Sequence, residues 1–354
     1  MNFLKKFSAV LLILAIVFSF AGCHKKGEIA VTVDGTEFTS GYYMCAFIFS
    51  DLEAQSLVSE EAGDEEIVDY TKEKIEGKKY ATWVKENTLA NLKTTALMKK
   101  LCKEADLTID SETLSSAEYT ADFYWDSYGY SEIFGNNGVS KETFKQYMTN
   151  SYYSETYFDY IYGKEGQDAI PEDSLKQLMQ EDYLLADILE ISISGLDDAT
   201  VLACQDEMKD YENRLRNKKI TFEEAYYSIN EKEEETVTAE GELQPKDPLA
   251  SIVGDDDSAY SSIYYSDIKD MKVGEVKYVD KVDDLKVAVL IKKDISEDPY
   301  YFETLAPQLR KDIAGEKFEA EMAKKAVELE AEINDYAVNV FKVDKIVYPE
   351  YTAE

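Results

Sequence analysis

The sequence predicts an α+β protein in which two mostly helical segments flank a shorter unit of alternating strands and helices. Three observations predict it. Apolar residues recur at spacings of three and four through residues 80–105 and again through 301–333, the period of a helix with one buried face. From Tyr183 the texture changes to apolar alternation, and strand, helix, short helix, loop and returning strands follow in order. The first alternating segment (29–33) and the last (338–346) are placed to pair, which would close the helical segments into one domain around the insert.

Each element has its own warrant. Ile29-Ala30-Val31-Thr32-Val33 alternates as a strand, and Asp34-Gly35 signals a hairpin returning through Thr36-Glu37-Phe38. Thr39 or Ser40 caps a helix carrying Tyr42, Tyr43, Phe47 and Leu52. Residues 60–66 read as an acidic loop. The next helix repeats Tyr80, Trp83, Val84, Leu89, Leu92, Ala96, Leu97, Leu101 and Ala105 on one face. Asp110 and Glu112 open another, leading to Phe123, Tyr124 and Trp125 and the loop Gly135-Asn136-Asn137-Gly138. Ser140, three residues before Thr143, caps a helix whose pattern runs on to Tyr162. Pro171 sits in the first turn of the following helix, where its missing amide is harmless.

In the middle unit a strand is expected over 186–193 and a helix over 199–218, with a second helix opened by Ile220-Thr221-Phe222-Glu223-Glu224-Ala225. Acidic loops follow at 231–242 and 254–257. Val273-Gly274-Glu275-Val276 then leads through Tyr278 and Val279 to a strand over 287–291. The last helix places Leu305, Leu309, Ile313, Phe318, Met322, Ala326, Leu329 and Ile333 on one stripe. Val338, Val340, Val343 and Ile346 read as the last strand.

Composition excludes several functions. Against 38 basic residues stand 72 acidic ones, a net charge of −34. A body so acidic lacks the basic footprint that nucleic acid demands, and anionic surfaces repel it. Cys45, Cys102 and Cys204 have neither the close pairing nor the histidine partners of a zinc site, and their sequence spacing fixes no disulfide. Asp255-Asp256-Asp257 lacks the spaced ligands of a calcium loop. There is no Gly-x-Ser-x-Gly elbow, no phosphate-cradling glycine loop and no usable histidine for a triad. No metal and no cofactor are expected.

The start of the chain is the most specific signal. A short cationic stretch with Lys5 and Lys6 precedes the apolar run 7–20, too short to span a bilayer and followed by small residues, as in a signal peptide. Ala21-Gly22-Cys23 resembles a bacterial lipobox. That resemblance implies a diacylglycerol on Cys23 as the new N-terminus, holding the protein to the extracytoplasmic face of the cell membrane.

The order of pieces resembles the SurA/PrsA-type extracytoplasmic foldases, chaperones that often carry a parvulin prolyl isomerase domain. The resemblance lies in the opening strand-turn-strand from Ile29 to Thr39, the helix over 83–105, Gly138-Val139-Ser140-Lys141-Glu142-Thr143-Phe144 and Ile170-Pro171-Glu172. In the middle, Ala186-Asp187-Ile188-Leu189 is similar to a parvulin's first strand, Phe222-Glu223-Glu224-Ala225 to its helix, and Val273-Gly274-Glu275-Val276 to its turn. The implied architecture is a signal peptide (1–22), a lipidated tether (23–28), and a SurA-N-like helical chaperone domain built from 29–182 and 297–354. Its helical part is completed by a C-terminal helix and strand, and a parvulin-like α+β domain (183–296) is inserted in it.

The family's catalytic residues do not carry over. Its first histidine falls at Asp187 and its last-strand histidine close to Val287, while the single histidine of this chain is His24. Glu240-Gly241-Glu242-Leu243 is all that survives of a Gly-Gly-Asp-Leu-Gly loop. Rotation about a peptide bond has a barrier of about 18–20 kcal/mol, and a carboxylate lacks the donor-acceptor character of neutral imidazole. The resemblance therefore implies a membrane-anchored foldase without isomerase activity, with Asp187 a degenerate position and itself a solvent-facing strand residue. Its partners would be unfolded or partly folded exported proteins. The alternatives are a divergent but active prolyl isomerase and a ligand-binding surface lipoprotein. Tyrosines crowd residues 119–162; stripes at helical spacing read first as core. Tyr124, Trp125, Tyr128, Tyr152 and Tyr153 are the candidates for gripping clients, since such rings join an apolar body to a polar tip.

Overall fold

The computed structural model describes residues 28–63, 69–230, 244–255 and 258–349. The segment read as a signal peptide, Cys23, His24 and the remnant Glu240-Gly241-Glu242-Leu243 lie outside the described residues. The chain is α+β and divides into two compact units, one made of the described residues up to Gln167 and from Glu316, the other of Asp168–Gly315.

The first unit opens with strands β1 (Ile29–Val33) and β2 (Thr36–Thr39), an antiparallel hairpin. Thr39 then caps helix α1 (Ser40–Ala62), its hydroxyl accepting from the Tyr42 amide at 3.2 Å. In its first half α1 is buried on every side: Tyr42, Tyr43, Met44, Cys45, Ala46, Phe47 and Ile48 are consecutive core residues. A helix apolar all round is the centre of its domain. α1 continues to Ala62, into the stretch expected as an acidic loop. A small hairpin, β3 (Lys74–Ile75) and β4 (Lys78–Lys79), leads into α2 (Tyr80–Glu104), which buries Tyr80, Trp83, Val84, Thr88, Leu92 and Ala96 against α1.

Next come α3 (Ser111–Ser127), α4 (Tyr130–Asn136), α5 (Lys141–Asn150) and α6 (Tyr152–Tyr162). Asp110 caps α3 by accepting from the amides of Glu112 and Thr113, and Ser140 caps α5. The core here is aromatic. Phe134 and Phe144 lie 5.0 Å apart between ring centres, and Phe49 stacks on Tyr147 at 4.9 Å.

The second unit begins with α7 (Glu172–Asp182), followed by β5 (Leu184–Ser192), α8 (Asp198–Arg216), α9 (Phe222–Ile229) and β6 (Ala250–Val253). A full capping box, Thr221 with Glu224, starts α9. The unit continues with α10 (Tyr265–Lys269), β7 (Val276–Lys281) and β8 (Lys286–Lys293). Its four-stranded antiparallel sheet has the order β6-β5-β8-β7. Gly274 takes φ +79° in the Val273-Gly274-Glu275-Val276 turn, the left-handed region only glycine enters freely.

Both faces of this sheet are covered. Ala186, Val253, Ala288 and Leu290 pack on Tyr264, Ile268 and Met271. Leu189, Val287 and Val289 pack on Met208, Tyr211 and Leu215 of α8 and Ala225 of α9. Leu185 joins Leu175 and Met179 of α7 with Tyr301, Phe302, Leu305 and Leu309. That packing explains why the unit is wider than the 183–296 expected from sequence: α7 and the residues up to Gly315 are part of its core.

Helix α11 (Pro299–Val327) supplies residues up to Gly315 to the second unit and the rest to the first. The single stripe expected along it is not continuous. Ile313 is 46% exposed; Leu305 and Leu309 belong to the second unit's core, and Phe318 meets Phe158 of the first unit at 5.2 Å. The chain closes with β9 (Ala331–Ile333), paired antiparallel to β1, and α12 (Asp335–Val338). The last strand thus lies before the segment 338–346 assigned to it. Asn334 turns the chain there, its side chain accepting from the Ala337 amide, and Val338 ends a helical turn while Val343 opens a 3₁₀ turn.

Candidate functional site

Asp187 is the first correction. It is 2% exposed rather than solvent-facing, because β5 is covered on both faces. Its Oδ2 lies 2.9 Å from Lys293 Nζ, which also holds the Asp247 carboxylate, while its Oδ1 has no hydrogen-bond partner among the described residues. Burial pushes the Asp187 carboxyl up to about 6 against the pull of Lys293, and Asp247 adds to the rise. Asp247 is itself fastened: its Oδ1 accepts from the Leu249 amide at 3.2 Å and its carbonyl from the Tyr301 hydroxyl. Two carboxylates sharing one ammonium make a structural brace. Val287 stands across from Ile191 and Asp187 across from Ile291, so the two positions aligned with the family's histidines are not opposite one another.

An opening of the second unit lies beside β5. β6 pairs with β5 only from Leu184 to Asp187, whereas β8 continues alongside to Ser192. Past Asp187 one edge of β5 therefore opens into a cleft of about 770 Å³. Its walls include Ile188, Glu190, Tyr226, Leu249, Ile263 and Lys286. Glu190 is held by Lys286 Nζ at 2.7 Å and by the Tyr264 hydroxyl at 2.9 Å.

In the first unit the five candidate aromatics divide. Trp125 is half-buried against Phe144, with 5.4 Å between rings, and Tyr124 is half-buried beside Tyr130. Tyr152 and Tyr153 are also half-buried, Tyr153 under the Lys99 ammonium and beside a small groove with Leu107, Ile109 and Asn150. Tyr128 is 60% exposed. It meets Phe123, a ring not among the candidates and 46% exposed, while Tyr119, also not among them, is 73% exposed on the same helix as Phe123. Phe123 and Tyr124 each meet Tyr128 edge-on at 5.4 Å. The missed pair is visible in the sequence as aromatics, and the structure supplies the direction they face. Ala117 and Ala121 are the buried residues of α3, and Tyr119 and Phe123, each two positions on, fall on the opposite side. Salt bridges from Lys141 to Asp122 and Asp126, and from Lys145 to Asp122, tie this part of α3 to α5.

No protein-family profile matches the chain, and no curated protein matches it. Among solved structures it is similar to the foldase protein PrsA from Lactococcus lactis at 12% identity and a TM-score of 0.37, covering 88% of this chain and 96% of that one. PrsA from Streptococcus pneumoniae is similar at 11% identity and a TM-score of 0.38, over 74% of this chain and 90% of that one. PrsA from Bacillus subtilis is similar at 10% identity and a TM-score of 0.33, over 86% and 91%. At such values the likeness says nothing of activity.

Proposed function

We propose that this chain is an extracytoplasmic chaperone of the foldase type, held to the membrane through a lipid on Cys23, which binds non-native exported proteins without isomerising prolyl bonds. The observation that carries the reading is the exposure of three rings, Tyr119, Phe123 and Tyr128, on and just after a helix fixed from its other side by Ala117 and Ala121. Such a surface gives apolar area with polar tips and no shape-selective pocket, which suits varied clients. The net charge of −34 keeps a loaded chaperone from associating with its own kind. Against isomerase chemistry stands Asp187, buried and tied to Lys293 at the position where the family it resembles has an imidazole.

The test uses the mature chain with Cys23→Ser. Light scattering of a refolding client should fall in its presence, and the triple variant Tyr119→Ser, Phe123→Ser, Tyr128→Ser should lose most of that suppression. These side chains are exposed, so the variant's melting temperature should stay within about 2 °C. Acceleration of cis/trans exchange in a proline tetrapeptide would refute the second half of the reading. Equal suppression by the triple variant would refute the first.

A further inference from the structure

Among the described residues, no strand pairs the edge of β5 past Asp187 on the β6 side. The Ile193 amide donates to the Leu285 carbonyl at 2.8 Å, on the β8 side. Amide direction alternates along a strand, so Ile188, Glu190 and Ser192 turn their N–H and C=O groups to the opposite side, which β6 leaves uncovered. At about 3.4 Å per residue, positions 188–192 offer roughly 15 Å of ladder that is unpaired among the described residues. Side chains from both sheet faces border the cleft there: Tyr226 belongs to the face packed on α8 and α9, Tyr264 to the face packed on α10. Two carboxylates, Glu190 and Asp284, stand against one ammonium, Lys286, in its walls. An unpaired edge of this kind is a template for another chain.

We propose that this edge receives an extended segment of a non-native polypeptide as an added antiparallel strand, gripped by its backbone, with basic side chains beside Glu190. The proposal rests on the chaperone reading, whose clients are chains with unsatisfied backbone groups. Geometry fixes which residues do what. A residue opposite Glu190 shares its face and turns its own amide toward β5. The residue whose side chain lies beside Glu190 is therefore the one whose N–H bonds to the edge. Its neighbours point to the other face, where Tyr226 lies. A lysine suits the first position, since its stem covers Ile188 while its ammonium reaches Glu190 and Asp284. Recognition through the ladder explains how one cleft would accept many sequences.

The experiment measures binding of three capped peptides to the full mature chain carrying Cys23→Ser, by fluorescence anisotropy. The parent alternates valine and lysine over seven residues; one derivative is N-methylated at every lysine, the other at every valine. The expected result is that valine methylation leaves the dissociation constant within twofold, while lysine methylation weakens it at least tenfold. Equal effects of the two methylation patterns, or no binding of the parent at millimolar concentration, overturns the proposal. Aggregation suppression is measured on the same sample. If suppression persists while the methylation patterns do not differ, the edge proposal alone fails. If suppression is absent, the chaperone reading fails independently.

Discussion

Replacing Asp187 by asparagine should stabilise the second unit, and by an amount that depends on pH. The substitution keeps shape and removes a charge. In the folded chain the carboxyl is raised from 3.8 to about 6 by desolvation, only partly offset by Lys293. Each tenfold change in proton affinity is worth about 1.4 kcal/mol, so a rise of this size amounts to about 3 kcal/mol in a fully buried group. The partial exposure of Lys293 brings the expected range to about 1–3 kcal/mol. The sign follows from linkage. A carboxyl whose folded pKa lies above its unfolded value favours the folded state below about 3.8, and that contribution is lost as pH rises through about 6. The stability gained by Asp187→Asn should thus be near zero at pH 4 and reach its plateau by pH 7.5. Lys293 keeps Asp247 in the variant, so no ammonium is stranded. Scanning calorimetry of the mature chain should show the second unit's transition rising by about 2–4 °C per kcal/mol. Lys293→Met tests the same brace from the other side: it strands a buried carboxylate and should destabilise by about 3–5 kcal/mol at pH 8, with recovery below pH 6 and in combination with Asp187→Asn. A difference between Asp187→Asn and the parent that is flat from pH 4 to 7.5, or a loss of stability at pH 7.5, would refute the reasoning.

Two further outcomes are expected. Thr221→Ala removes one half of the capping box of α9 and should lower stability by about 1 kcal/mol, read by urea denaturation, with Thr221→Ser restoring most of it. In the Cys23→Ser chain, where Cys45, Cys102 and Cys204 are free, the half-exposed Cys204 should react first with a thiol reagent under native conditions. Cys45, fully buried with its thiol pushed well up, should react only on unfolding, and prompt native labelling of Cys45 by mass spectrometry would contradict its place in the core.

What was legible in the sequence was local. Thr39, Asp110 and Ser140 mark helix starts because the capping oxygen and the amide it accepts from are two or three residues apart. The period of α2 survives for the same reason. Long-range covering is not written this way. Alternation around Asp187 looks like a strand with one wet face, yet Leu184, Leu185, Ala186, Ile188 and Leu189 surround it, the composition of a strand covered on both sides. Nothing near Asp187 in sequence points to Lys293 or Asp247, which the fold brings to it. The valines after Asn334 illustrate the opposite error. Their strand preference is outweighed by the Asn334-Asp335 turn and by the burial of Val338 in the core built on α1. At the surface, Tyr119 and Phe123 were visible as aromatics, but only the burial of Ala117 and Ala121 shows which way they face.

The pairing of β1 with β9 sets an order of assembly. The second unit is one uninterrupted stretch of chain, so every partner its sheet requires is present once Gly315 has emerged. The first unit has no such autonomy: Val31 and Val33 wait for Ile333 and Ala331, and Asp51 receives the Tyr348 hydroxyl only when nearly the whole chain is made. Closing so long a loop costs conformational entropy before any contact repays it, which slows the search. During synthesis the second unit can finish first, and the β1–β2 hairpin, made well before β9, is among the last parts to gain its neighbour.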